Sequence, residues 1–379
     1  MRRFPSLEQR HVVFLVCVVG IFITVFDTSS SIVALPTIAH EFGTDLLTAQ
    51  WVIAGNGLTI AALLVPMGRL SDVVGRKRIY VLGALIFALG ALAASWAGSI
   101  YGLIGARVAV GIGSAMTQAT STAIIVGSFQ SSERAKMLGL QLGAVGLGSI
   151  VGPATGGIVV GTAGWRMLFA ITAAAMLAVT LTAQRKLPRR NEPRRKDQPP
   201  FDFVGALLLS SFLVALLLTL TLGPNVGWLA PITIAGELAS VLLMLGFVML
   251  ERRSHAPMLD LKLFRKPDFA LGALGALVVF MGISAIRFLV PFFLQGVRGY
   301  AAATVGLLIV PAALVTATIA PFAGRLADRW GVRLFANIGL GVTTLGFAVF
   351  IGLHVETEDR KSTRLNSSHS AKSRMPSSA

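Results

Sequence analysis

The chain has 379 residues, of which 54% are hydrophobic and only 13% charged, about half the charged share of roughly 25% found in soluble domains. That excludes a soluble enzyme, and the recurring runs of about 20 apolar residues have the length of membrane-spanning helices. A net charge of +16 would suggest nucleic acid in a soluble protein; here it is a signal of topology, and no nucleic-acid partner is expected.

The first run follows "MRRF" and extends over about 11–35. It is too long for the apolar region of a signal peptide, so it is expected to remain as a span. Ten further spans are expected at about 48–68, 79–97, 100–127, 135–160, 165–184, 201–222, 231–250, 269–290, 301–324 and 334–353. With the N-terminus on the inside, the inner segments hold 24 Lys and Arg and the outer loops hold two, Arg166 and Arg298. Basic residues gather on the cytoplasmic side, so the N-terminus is expected to be cytoplasmic and the protein to sit in the cell inner (plasma) membrane. The lone cysteine, Cys17, rules out an intramolecular disulfide.

The first span carries "ITVFDTSSSIVALP". An ionised carboxylate in hydrocarbon is costly, so Asp27 must face a wet or protein-lined interior. Thr24, Asp27, Thr28 and Ser31 recur at helical spacing and read as the lining of a pathway. The fourth span reads "ARVAVGIGSAMTQATST". Arg107, Gly111, Ser114, Gln118 and Ser121 share one of its faces. Burial favours the neutral form of a carboxylate and a nearby guanidinium favours the charged form. A carboxylate between those pulls can load and release a proton. Asp27 is therefore a candidate proton or cation site, or else a structural carboxylate tied to Arg107 or to hydroxyls. Arg107 cannot deprotonate; it tunes a carboxylate or water, or it bonds backbone carbonyls structurally. Asn56 and Gln118 join Thr24, Thr28 and Ser31 as candidate substrate-pathway residues. Glu237, in the eighth span, is expected to be structural or interfacial. Arg287, in the ninth, is left unassigned.

"GRLSDVVGRKR" at 68–78 recurs as "GRLADRWGVR" at 324–333. Each copy follows a span and lies in an inner loop, so the chain reads as two like halves. The spacing exceeds the roughly 180–200 residues that six spans and their loops need. The excess fits two additional helices between the halves, at 201–222 and 231–250. The fifth span gives "GLGSIVGPATGG", where Gly148, Gly152 and Gly156 leave one face bare and Pro153 adds a kink. Generic small-residue helix packing also produces such a stripe.

These motifs resemble the major facilitator superfamily, and within it the drug:proton antiporters with fourteen spanning helices. The resemblance implies an all-α polytopic membrane protein of the major facilitator fold. Its expected parts are an N-terminal six-helix bundle (1–184), a basic loop (185–200), two linking helices (201–250), a loop (251–268) and a partial C-terminal bundle of three helices (269–353). The tail at 354–379 is expected to be disordered. Its last part, 361–379, resembles translated vector sequence, and the second bundle reads as truncated.

By the same resemblance, Gly68, Asp72, Gly75, Arg76 and Lys77 form a gating motif, with Gly324, Asp328 and Gly331 as its second copy. Gly148, Gly152, Pro153, Gly156 and Gly157 match an antiporter motif, and Arg107 with Gly111 and Gly113 matches the fourth-helix motif. Asp27 and Arg107 are then the proton-coupling residues of an exporter of hydrophobic or cationic small molecules such as drugs. A dedicated exporter of a metabolite, lipid or siderophore shares every motif, and an inactive truncated fragment is the remaining reading. The resemblance implies a monomer whose partners are substrate, protons and the bilayer, with no cofactor. Five scattered histidines, no Walker loop and no Gly-x-Ser-x-Gly elbow argue against a metal site and an enzyme.

Overall fold

The computed structural model describes residues 7–188, 201–254, 258, 259 and 261–294, with short pieces between 298 and 348. Two compact units divide the chain after Phe322. In the first, α1 (Leu7–Phe42), α2 (Leu46–Ala49), α3 (Trp51–Val74), α4 (Arg76–Ser95), α5 (Ile100–Ser128), α6 (Ser131–Ala163) and α7 (Trp165–Lys186) form one bundle. They are followed by α8 (Phe203–Val226), α9 (Pro231–Arg253), a 3-10 turn (Leu261–Arg265) and α10 (Pro267–Phe292). Nine helices among the described residues are long and apolar enough to cross a membrane. They coincide with the first nine expected spans. The tenth and eleventh lie largely outside the described residues. In the second unit a short apolar helix, Asn337–Ala348, falls inside the eleventh.

α1 runs for 36 residues, about 54 Å at 1.5 Å per residue. A hydrocarbon core of about 30 Å leaves its ends protruding. Two sharp turns need glycine: Gly75 at φ 110° between α3 and α4, and Gly164 at φ 82° between α6 and α7. Side chains with a Cβ rarely adopt those angles. These glycines mark the two ends of the bundle. Other boundaries come from caps. Ser99 Oγ accepts from Gly102 N–H at 3.1 Å to start α5, and Asp202 Oδ1 accepts from Gly205 N–H at 2.8 Å to start α8.

The bundle interior is layered. Toward the Gly75 end, Val13, Cys17, Tyr80, Phe87, Ile125 and Met176 form one apolar cluster. Toward the Gly164 end, Ile38, Val52, Leu103, Trp165, Leu168 and Phe169 form another. Between them lies a polar layer in which Thr24, Asp27, Ser31, Asn56, Arg107, Ser114 and Thr172 are all buried. Glycine lets the helices close around it. A Cβ on Gly113 would lie 2.4 Å from Phe87 N and 2.5 Å from Gly83 O, so α4 and α5 meet backbone to backbone. α8 joins the bundle at α3, where Ser210 Oγ donates to Ala62 O at 3.1 Å.

The Gly164 end carries a clamp. Arg166 donates to Glu41 at the end of α1 and to Ala97 O beyond α4, 3.1 Å away; Trp165 Nε1 also donates to Glu41. The Arg166 guanidinium stacks 4.3 Å from the Trp165 ring. Three helix ends are thus tied through one residue. Arg166 and Glu41 are each 42% exposed, so solvent screens the pair. Arg166→Met is expected to cost about 1 kcal/mol and to lower the melting midpoint by about 2–4 °C, read by thermal unfolding in detergent.

Candidate functional site

The centre of the polar layer is an ion pair. Asp27 Oδ2 lies 2.6 Å from Arg107 Nη1, and both side chains are 0% exposed. Asp27 Oδ1 accepts from Thr172 Oγ1 of α7 at 3.1 Å. Arg107 Nε donates to Val52 O at 3.4 Å, and its guanidinium lies 5.0 Å from the centre of the Phe169 ring. α1, α3, α5 and α7 therefore each contribute to one site. The Asp27–Arg107 contact is close but poorly aligned. Asp27 Oδ2 and both terminal nitrogens of Arg107 lack a hydrogen bond of ordinary geometry. Two opposite charges held this way, away from water, depend on each other, because removing either leaves the other buried and unpaired.

The residues expected to line a pathway divide by burial. Thr24, Ser31 and Asn56 are enclosed in the bundle, whereas Thr28 and Gln118 are part-buried. The Thr24, Thr28 and Ser31 hydroxyls donate to carbonyls of α1 itself. Asn56 Nδ2 donates to Thr28 Oγ1 at 3.3 Å. Thr172 and Glu41 were missed by sequence reasoning. Both act across helices, and no spacing within one segment announces such a partner. Glu237 is exposed on α9. The Arg287 side chain lies outside the described residues. An open cleft of about 160 Å³ lined by Gln50, Trp51, Thr221 and Asn225 shares no residue with the polar layer.

The glycine stripe of α6 lies on the turn of α1 that carries Asp27. A Cβ on Gly148 would come 3.0 Å from Phe22 O, one on Gly152 3.0 Å from Phe26 O, and one on Gly156 2.7 Å from Ser30 Cβ. Gly157 faces Val33 at an ordinary 3.6 Å. Pro153 sits within α6, which continues through it. At the other end, Asp72 pairs with Arg76 at 2.9 Å. Arg76 Nη1 also donates to Ala123 O near the end of α5, and Lys77 Nζ to Leu187 O at the end of α7. The basic pair thus holds the carbonyl ends of two helices, where cations are favoured, rather than facing outward alone. Gly68 packs near Ala119. Gly324, Asp328 and Gly331 lie outside the described residues.

The family model described as Major Facilitator Superfamily matches residues 17–357. The chain belongs to that superfamily. It is 34% identical over 336 residues to the multidrug resistance protein Stp of Mycobacterium tuberculosis, covering 88% of this chain and 62% of that one. It is 33% identical to a probable actinorhodin transporter of Streptomyces coelicolor, over 84% of this chain and 56% of the relative. It is also 28% identical to the riboflavin transporter RibZ of Clostridioides difficile, over 89% of this chain and 73% of the relative. The chain thus spans about three fifths of the length of Stp and of the actinorhodin transporter. Among solved structures, the superfamily's proton:xylose symporter XylE superposes with a TM-score of 0.56 at 14% identity, over 85% of this chain and 70% of that one. The fold is therefore the all-α, polytopic superfamily fold. The chain is thus a multi-pass membrane protein of that superfamily.

Proposed function

We propose that this chain works as a proton-coupled exporter, an antiporter of hydrophobic or cationic small molecules such as drugs, by alternating access. The observation that carries the reading is the enclosed Asp27–Arg107 pair, with Thr172 holding the second carboxylate oxygen. A proton arriving from outside neutralises Asp27 and releases its hold on Arg107. The α1–α6 seam, packed backbone to side chain around the same turn, carries that change into helix movement. The proton then leaves to the cytoplasm and substrate is bound for the next cycle. The drive is about 2.3 kcal/mol per charge per 100 mV plus about 1.4 kcal/mol per pH unit. That suffices to concentrate an amphiphile roughly tens- to hundreds-fold.

The likeness to a multidrug resistance protein, Stp, supports drug-like compounds as the substrates. Transporters named for a single compound, actinorhodin or riboflavin, favour a second reading, a dedicated metabolite exporter. In this proposal the protein is a monomer in the plasma membrane, with its N-terminus and the Gly75 end cytoplasmic. Everted membrane vesicles energised by respiration test it. Adding ethidium should discharge part of the pH gradient only when the protein is present, and an uncoupler should stop ethidium accumulation. Accumulation that persists with the gradient collapsed would refute proton coupling.

A further inference from the structure

Arg107 Nη2, Asn56 Oδ1 and Ser114 Oγ have no hydrogen-bond partner, although all three residues are 0% exposed. Most hydroxyls on these helices satisfy themselves on a carbonyl one turn back. Thr24 does so on Ile21, Thr117 on Gly113, Thr120 on Met116 and Ser128 on Ile124. Ser114 does not. A buried polar atom without a partner costs stability, so alanine would suit this position better if packing were its whole purpose. Buried waters occupy such places, bonding two to four polar groups each.

The three groups follow one another along α5. Arg107 Nε reaches Val52 O on α3. One turn on, a Cβ at Gly111 would lie 2.8 Å from Asn56 O, so Asn56 sits at the level that Gly111 leaves bare. Ser114 follows about one turn later. From Arg107 to Ser114 the rise is about 10 Å, directed toward the Gly75 end. Further along the same face, Ser121 Oγ donates to Cys17 O of α1 at 3.2 Å. Arg107 Nη2 is a donor, Asn56 Oδ1 an acceptor, and a serine hydroxyl is both. That sequence suits water, which can accept from one and donate to the next. The surrounding helices α1, α3, α5 and α7 enclose the groups completely. A drug-sized molecule needs that wall opened, whereas water and protons do not.

We propose that Arg107, Asn56 and Ser114 hold a short file of water that carries the proton released by Asp27 toward the Gly75 end. The inference rests on the reading of Asp27 as the proton carrier. The Asp27 O–H bond breaks as the first water accepts the proton. Each water passes on another of its own, and the last, at Ser114, hands one on to water on its Gly75 side. Arg107 stays protonated throughout and re-pairs with the carboxylate. Ser114 is a positioning residue in this step and never carries the charge.

The test uses the full chain in proteoliposomes containing trapped pyranine, with ethidium as the driving substrate. Ser114→Ala places a methyl where the hydroxyl was. It should slow ethidium-driven proton flux about tenfold, the loss expected when one hydrogen bond is missing from the transfer step. The KM for ethidium should not change, and the melting temperature should be no lower than in wild type. Ser114→Gly frees a volume close to the roughly 30 Å³ of one water and should keep flux near the wild-type rate. A packing role predicts the reverse order, with glycine worse than alanine. Wild-type flux in Ser114→Ala, or equal slowing in both variants, would overturn the water file while leaving the exporter reading intact. Equal proton flux in wild type and Asp27→Asn would overturn that reading, and the water file with it.

Discussion

Asp27→Asn should abolish uphill, proton-driven efflux while leaving downhill movement of the same substrate measurable. The substitution keeps the shape of the side chain and the Thr172 contact within reach. It removes the exchangeable charge and leaves Arg107 as a cation at 0% exposure with no counter-charge. Removing one partner of a buried pair costs about 3–5 kcal/mol, so the single variant should also melt earlier. Loss of transport alone would therefore be ambiguous. Asp27→Asn combined with Arg107→Gln separates the two effects. With both charges gone, the desolvation penalty disappears, and a neutral pair of similar size should recover most of the stability. Coupling should not recover, because no group at the site then takes and releases a proton. Efflux against a gradient by the double variant would show that Asp27 serves structure and that the proton is carried elsewhere.

The second large effect concerns how the bundle closes. Gly113→Ala should abolish accumulation of folded protein, whereas Gly157→Ala should be neutral or slightly stabilising. Alanine is favoured over glycine within a helix by about 1 kcal/mol, so propensity alone predicts a gain at both sites. Space decides between them. At Gly157 the new Cβ meets Val33 Cγ1 at 3.6 Å, an ordinary contact. At Gly113 it meets Phe87 N at 2.4 Å and Gly83 O at 2.5 Å, and backbone atoms cannot turn aside as a flexible side chain can. Overpacking a close contact costs about 1–3 kcal/mol and sometimes more, and here α4 and α5 must separate along their whole seam. The seam bounds the layer that holds Arg107, so surviving protein should show weakened coupling. Size-exclusion profiles of fluorescent fusions measure the outcome. A Gly113→Ala peak equal to wild type would show that the helices yield more readily than this packing allows.

Sequence alone was enough to place the first nine spans, the family and the two residues at the centre of the site. Long apolar runs have no stable alternative to helices in lipid, because every backbone donor and acceptor must be satisfied within the segment. A lone carboxylate in the first run and a lone guanidinium in the fourth stand out for the same reason, since hydrocarbon makes an unpaired charge expensive. Glycines four apart announced a bare helix face. Sequence could not say what that face touches. Only the tertiary structure decided that the α6 stripe lies on the Asp27 turn of α1, that Thr172 holds the second oxygen of Asp27, and that Arg166 ties Glu41 to Ala97. It also decided that Thr24, Ser31 and Asn56 are enclosed in the first bundle. Periodicity along one helix tells which residues share a face. Which face meets which neighbour, and at what level, is set by the rotation and slide of whole helices against one another. Those follow from the summed packing of many small contacts, which no single segment of the sequence contains.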